Sequence, residues 1–244
     1  MWTRELLKTN AKTVLKRNYW RPFFACLIVT LLTGTGAVEN RVEVQLEQLE
    51  YELENLNISS LLAILLSVTA LVISLVAIAW SIFGVNVLVV GHKRFMMENR
   101  LGDSPIGTLF SAFSGPSYWN VVKAMLWMNV KIFLYHLLLI IPGIIKSYEY
   151  YYVPYLLAEN PNMTPERAMQ LSSRMTDGEK MEIFVLELSF IGWDFLGMLA
   201  LGLGGYFVTP YKQATYAELY AAAKAKAFYL GLSNEAELSG FVQH

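Results

Sequence analysis

ISSLLAILLSVTALVISLVAIAWSIFGVNVLVV, the stretch from Ile58 to Val90, carries no charged side chain. A helix that is apolar on every side has no face to offer to water. At about 1.5 Å rise per residue the stretch reaches roughly 50 Å, well beyond the roughly 30 Å hydrocarbon core of a bilayer. It reads as a membrane helix that tilts, kinks or protrudes, with Gly84 and Asn86 where a kink or a protruding end would fall.

Composition agrees with this reading: 55% of residues are hydrophobic, 14% aromatic and 16% charged, against about 25% charged in ordinary soluble domains. A formal net charge of −1, with the basic residues spread between loops, argues against a nucleic-acid partner. The single cysteine, Cys26, leaves neither an intrachain disulfide nor a cysteine metal site. Residues 1–19 are too polar for the apolar core of a signal peptide, so the first span is expected to stay as an anchor.

Residues 1–21 form the first unit. Leu6, Leu7, Ala11, Val14 and Leu15 recur at helical spacing, opposite Lys8, Lys12, Lys16 and Arg17. Such a basic amphipathic helix suits a cytoplasmic surface of anionic lipid. Tyr19, Trp20, Arg21 and Pro22 then mark a headgroup-level boundary. Residues 22–226 are expected to form the transmembrane bundle, with spans at about 22–38, 60–90, 121–141, 144–158, 182–200 and 206–224. The segment 39–57 holds six glutamates against one arginine and reads as an external acidic amphipathic helix. Thr164-Pro165 has N-cap chemistry and predicts a cytoplasmic helix over 164–176. A glycine-rich turn is expected at 202–205, and residues 227–244 are expected to be a cytoplasmic tail.

Pro142-Gly143 can either turn the chain sharply between two spans or kink one helix; the turn is favoured. Lys and Arg gather in the amino-terminal segment, in 92–119, in 159–181 and in the tail. Retention of basic residues on the cytoplasmic side then gives six spans with both termini inside. The fold class is therefore an all-α polytopic bundle of about six spans with amphipathic interfacial helices.

Several ordered blocks carry a resemblance: Trp2-Thr3-Arg4-Glu5-Leu6, Asn18-Tyr19-Trp20, Ile141-Pro142-Gly143-Ile144-Ile145-Lys146-Ser147-Tyr148, Leu188-Ser189-Phe190-Ile191-Gly192-Trp193, and Thr209-Pro210-Tyr211 with Ala214-Thr215-Tyr216-Ala217-Glu218. Together they resemble an uncharacterised family of multi-pass membrane proteins of Gram-positive bacteria. The block from Thr164 to Phe184 is distantly similar to the membrane domain of some glycerophosphodiester phosphodiesterases. The resemblance implies a bacterial cell membrane location and brings no catalytic residues.

Ionisable groups at membrane depth are expensive unless paired or hydrated, so those inside the expected spans are the functional candidates. They are Lys123, Lys131, His136, Lys146, Glu149, Glu187, Asp194 and Glu218. Glu187 and Asp194 are seven apart, which sets them on one face of a continuous fifth helix. Structural pairing or snorkelling is the first explanation, a polar cavity or ion pathway the second, and acid–base catalysis by two carboxylates the last. His136 lacks a neighbour at metal-ligand spacing, and the glycines from Gly192 to Gly205 have no following Gly-Lys-Ser/Thr. The tyrosines at 148, 150, 151, 152 and 155 suit an interface, the bundle interior or the lining of an amphiphile site. Asn57-Ile58-Ser59 matches a short glycosylation pattern that is common by chance.

No cofactor is implied, and the oligomeric state is open. Three functions follow in order: a non-enzymatic membrane accessory or scaffold, with a protein partner at 164–176 or at the acidic segment; a small transporter, channel or lipid-handling protein; an intramembrane enzyme. A deep cavity joining Lys146, Glu149, Glu187 and Asp194 would favour the second, and a dry bundle the first.

Overall fold

The apolar stretch is helical and does not stop where its apolarity ends. In the computed structural model, which describes residues 2–34, 60–199 and 204–240, α3 (Ser60–Trp80) runs through a π-helical turn at Ser81–Val85 into α4 (Asn86–Leu101). The turn falls where the sequence places a kink, and Asn86 N–H reaches back to the Ser81 carbonyl. Gly84 is required there, because a Cβ would lie 2.6 Å from the Trp80 ring. Every α3 side chain from Ile64 to Trp80 is exposed, whereas α4 buries Val87, Leu88, Val90, Phe95 and Met96. One helix thus divides between two surroundings.

Two helices among the described residues are long and apolar enough to cross a membrane: the continuous helix from Ile64 to Leu101, and α5 (Tyr118–Leu138). The other expected spans come out shorter, broken or more polar. The first is α2 (Trp20–Thr33), 14 residues closed by Gly34 at φ +68°. Its expected end at 35–38, the acidic segment 39–57, and residues 202–203 of the expected glycine-rich turn lie outside the described residues, whereas Gly204 and Gly205 of that turn are already helical.

The chain reverses at Leu139, whose extended backbone separates α5 from α6 (Ile140–Glu149). Pro142-Gly143 therefore does not make the turn itself, as the sequence reading had it. Pro142 sits in the first turn of α6, where a missing N–H costs no helical bond. Gly143 lets the two arms close, since a Cβ would lie 2.4 Å from the His136 ring. The expected fourth span breaks at Tyr150–Tyr152 before α7 (Val153–Glu159), which takes Pro154 near its start. After it comes α8 (Pro165–Met175), with Thr164 accepting the Arg167 N–H at 3.3 Å.

The expected fifth span is two helices, α9 (Lys180–Leu188) and α10 (Ile191–Leu199). Phe190 interrupts them because its ring is fully buried against Tyr211 and Tyr216. The last helix, α11 (Gly204–Tyr229), includes Pro210 and carries Lys212, Glu218, Lys224 and Lys226. Its start folds back on α10, with Gly204 so close to Gly197 that a Cβ would stand 2.6 Å from the opposing Cα.

The core lies among α4, α7, α8, α9 and α11, around Phe95, Tyr152, Tyr155, Leu171, Ile183 and Leu219. Against it packs α1 (Arg4–Arg17), capped by Thr3, with Leu7, Ala11 and Leu15 buried. Ala11 and Leu15 meet Ala214 of α11, so the apolar side of α1 faces protein. Beyond α11, Leu238 is buried, and Glu237 meets Arg167 of α8 at 2.6 Å. No strand occurs among the described residues.

Candidate functional site: a cleft between the α5–α6 hairpin and α8

Lys131, Lys146 and Glu149 come together. They line an open cleft of about 360 Å³ with Tyr150 and, from α8, Glu166, Met169, Gln170, Ser173 and Arg174. Lys146 Nζ lies 2.5 Å from Glu149 Oε2 and over the rings of Tyr135 and Tyr150. Lys180 reaches the other Glu149 oxygen at 3.6 Å. Lys131 lies 5.5 Å over the Trp127 ring, and neither it nor Arg174 has an acidic partner among the described residues.

The other residues singled out by sequence lie elsewhere, and four of them have partners of their own. His136 bonds the Ile132 carbonyl at 2.9 Å and covers Gly143. Glu187 accepts the Tyr148 hydroxyl at 2.6 Å. Asp194 pairs with Lys212 at 2.8 Å on an exposed surface. Glu218 is buried and pairs with Arg100 at 2.8 Å, with Asn10 also reaching it. Lys123 is exposed on α5. Because Phe190 splits the fifth helix, Glu187 and Asp194 do not share a helical face, which corrects their expected juxtaposition.

The α8 side of the cleft was missed, although Glu166, Gln170 and Arg174 at four-residue steps were a signal for one polar face. Also missed was a polar knot beside α4. Lys93 bonds the Gln213 side chain at 2.9 Å and lies over the Tyr155 ring, and His92 Nε2 is 3.6 Å from the buried Cys26 Sγ. Cys26 and His92 make a pair only; among the described residues no three His, Cys, Asp or Glu side chains converge to hold a metal.

Two carboxylates, Glu179 and Glu237, tie distant segments together. Glu179 accepts the Trp2 indole N–H at 3.0 Å and pairs with Lys226 at 2.7 Å, which fastens the amino terminus to α11. The Arg167 guanidinium bonded to Glu237 holds that carboxyl below the usual carboxylate range, and Glu237 raises Arg167 in return. On α1, partial burial, helped by Arg4 and Lys12, lowers the Lys8 ammonium below the usual lysine value.

The fold defines an all-α protein with two helices fit by length and composition to cross a membrane. The chain belongs to the family described as "Protein of unknown function (DUF975)", whose model matches residues 37–227. No curated protein and no solved structure matches it.

Proposed function

We propose that the chain is a multi-pass integral protein of the bacterial cell membrane that serves as a non-enzymatic accessory or scaffold. One observation carries this reading: Glu149, Glu187, Asp194 and Glu218 each have a separate protein partner and do not converge on a shared cavity. A translocation path needs polar groups that stay available to cargo, whereas pairing satisfies them in place. The cleft at Lys146 and Glu149 includes neither Glu187 nor Asp194.

Membrane residence is supported by the exposed apolar surface. Besides α3, the end of α5 and start of α6 expose Phe133, Leu134, Leu137, Ile140, Ile141 and Ile144, and α10 exposes Ile191, Trp193, Phe195 and Leu196. Such contiguous surface is rarely left to water. The six-span arrangement with both termini cytoplasmic assigns one crossing each to α2, α3, α5, the α6–α7 pair, the α9–α10 pair and α11. The surroundings of α5 favour a variant. Asn120 bonds the Pro161 and Met163 carbonyls just before α8, and Lys131 shares the cleft lining with Arg174 of α8, so α8 runs beside α5 as far as Lys131. In that variant only the α5–α6 tip enters lipid.

The test is reconstitution in sealed vesicles, with ion flux and lipid exchange between leaflets measured against empty vesicles. The accessory reading expects both at background. A protein-dependent flux that disappears in Glu187→Gln with Asp194→Asn, at unchanged thermal stability, overturns it in favour of a translocator.

A further inference from the structure

The cleft beneath the α5–α6 tip has a surplus of positive charge at a particular depth. Lys131, Lys146 and Arg174 line it against Glu149 and Glu166, and Lys180, which also pairs with Asp177, reaches Glu149 from beside it. Glu149 already serves both Lys146 and Lys180, while Lys131 and Arg174 have no acid among the described residues. Lys131 and Lys146 each lie about seven residues from Leu139, hence about 10 Å along their helices from the apex. One leaflet's hydrocarbon is roughly 15 Å deep. A tip inserted from the cleft side therefore sets these cations near the level of phospholipid phosphates, with the exposed Phe133, Leu134, Ile144 and Ile145 directly beyond them toward the acyl chains. A soluble anion would use the charge and leave that apolar border unused.

We propose that this cleft is a headgroup site for an anionic phospholipid, its phosphate held by Lys131 and Arg174 and its chains lying along the α5–α6 tip. The proposal rests on the membrane reading above. It also moves lipid recognition away from α1, the element the sequence favours, since the apolar side of α1 is occupied by α11. At the cleft, the phosphate adds a second anion to the Lys146–Glu149–Lys180 chain without displacing Glu149.

The full chain is purified in detergent, offered phosphatidylglycerol and phosphatidylcholine in equal amounts, and examined by native mass spectrometry for retained lipid. Wild type is expected to retain one phosphatidylglycerol, with a preference that falls about tenfold or more in Lys131→Gln with Arg174→Gln. Lys131→Arg with Arg174→Lys, which conserves charge, is expected to keep it, as is the α1 variant Lys12→Gln with Lys16→Gln. Loss of preference in the α1 variant alone overturns the cleft assignment. Thermal protection by inorganic phosphate in phosphatidylcholine nanodiscs, equal to that given by phosphatidylglycerol, overturns the lipid as occupant. Failure of the protein to float with vesicles of either composition removes the membrane reading itself, a result distinct from floating without preference.

Discussion

Ser172 and Glu149 are joined across a broken helix: the Ser172 hydroxyl donates to the Glu149 carbonyl at 2.7 Å, while its oxygen accepts the Tyr152 N–H at 3.1 Å. The side chain is fully buried and bridges the end of α6 to the start of α7. Two backbone groups freed by the break at Tyr150–Tyr152 are satisfied by one hydroxyl. Ser172→Ala leaves both unpaired and is expected to cost about 1–3 kcal/mol. Thermal unfolding in detergent, followed by tryptophan fluorescence, checks this against Ser173→Ala. If the two variants melt together with wild type, the bridge contributes nothing.

Gly143 and His136 set how closely the α5–α6 hairpin closes. A methyl group at 143 collides with the imidazole, so Gly143→Ala is expected to destabilise by about 1–3 kcal/mol. Adding His136→Ala should recover most of that loss. A double-mutant cycle that finds the two substitutions additive would show that the ring is not the obstacle.

The tail answers to acid. Glu237 is held below the ordinary carboxylate value by Arg167, so its contribution is complete above that ordinary value and disappears as pH falls through the lowered one. Protection of the amides at residues 230–240, measured relative to the intrinsic exchange rate at each pH, should therefore fall as the solution is taken below about pH 4. Glu237→Gln should already have low protection at pH 7, with little further loss in acid. A wild-type tail that stays protected at pH 2 would contradict the assignment.

Glu187 and Asp194 are expected to act independently, because Tyr148 holds one and Lys212 the other. Glu187→Gln and Asp194→Asn should add within about 0.5 kcal/mol. Strong coupling between the two substitutions would return them to a common site.

The apex at Leu139 should be shielded by lipid if the tip only enters the bilayer. Leu139→Cys is then expected to resist a membrane-impermeant maleimide from either side and to react after solubilisation; Cys26 is buried and contributes little background. Labelling from the external side in intact vesicles would favour the full crossing of the six-span arrangement.

How much of this was legible in the chain depends on whether the signal was local. The uncharged stretch, the Thr164-Pro165 start of α8 and the alternation along α1 are each written within a few residues, and all could be read there. The turn position was not, because Leu138-Leu139-Ile140 has no turn chemistry and Pro142-Gly143 does. Phe190 looks like any residue of an apolar helix; only its fit against Tyr211 and Tyr216 breaks the chain there. The candidate site failed in the same way. Helical spacing paired Glu187 with Asp194, while the partners that count, Tyr148, Lys212 and Arg100, come from distant segments.

The helix from Ser60 to Leu101 is continuous across two surroundings, its side chains from Ile64 to Trp80 facing outward and those of α4 lodged largely among buried side chains. A helix is a stiff rod, so a thinner or thicker bilayer that changes the lean of α3 acts as a lever on the protein interior. The widened turn at Ser81–Val85 is the first joint that such a lever meets. On the proposed membrane reading, a change in the lean of α3 would reach the seating of α4 through those five residues.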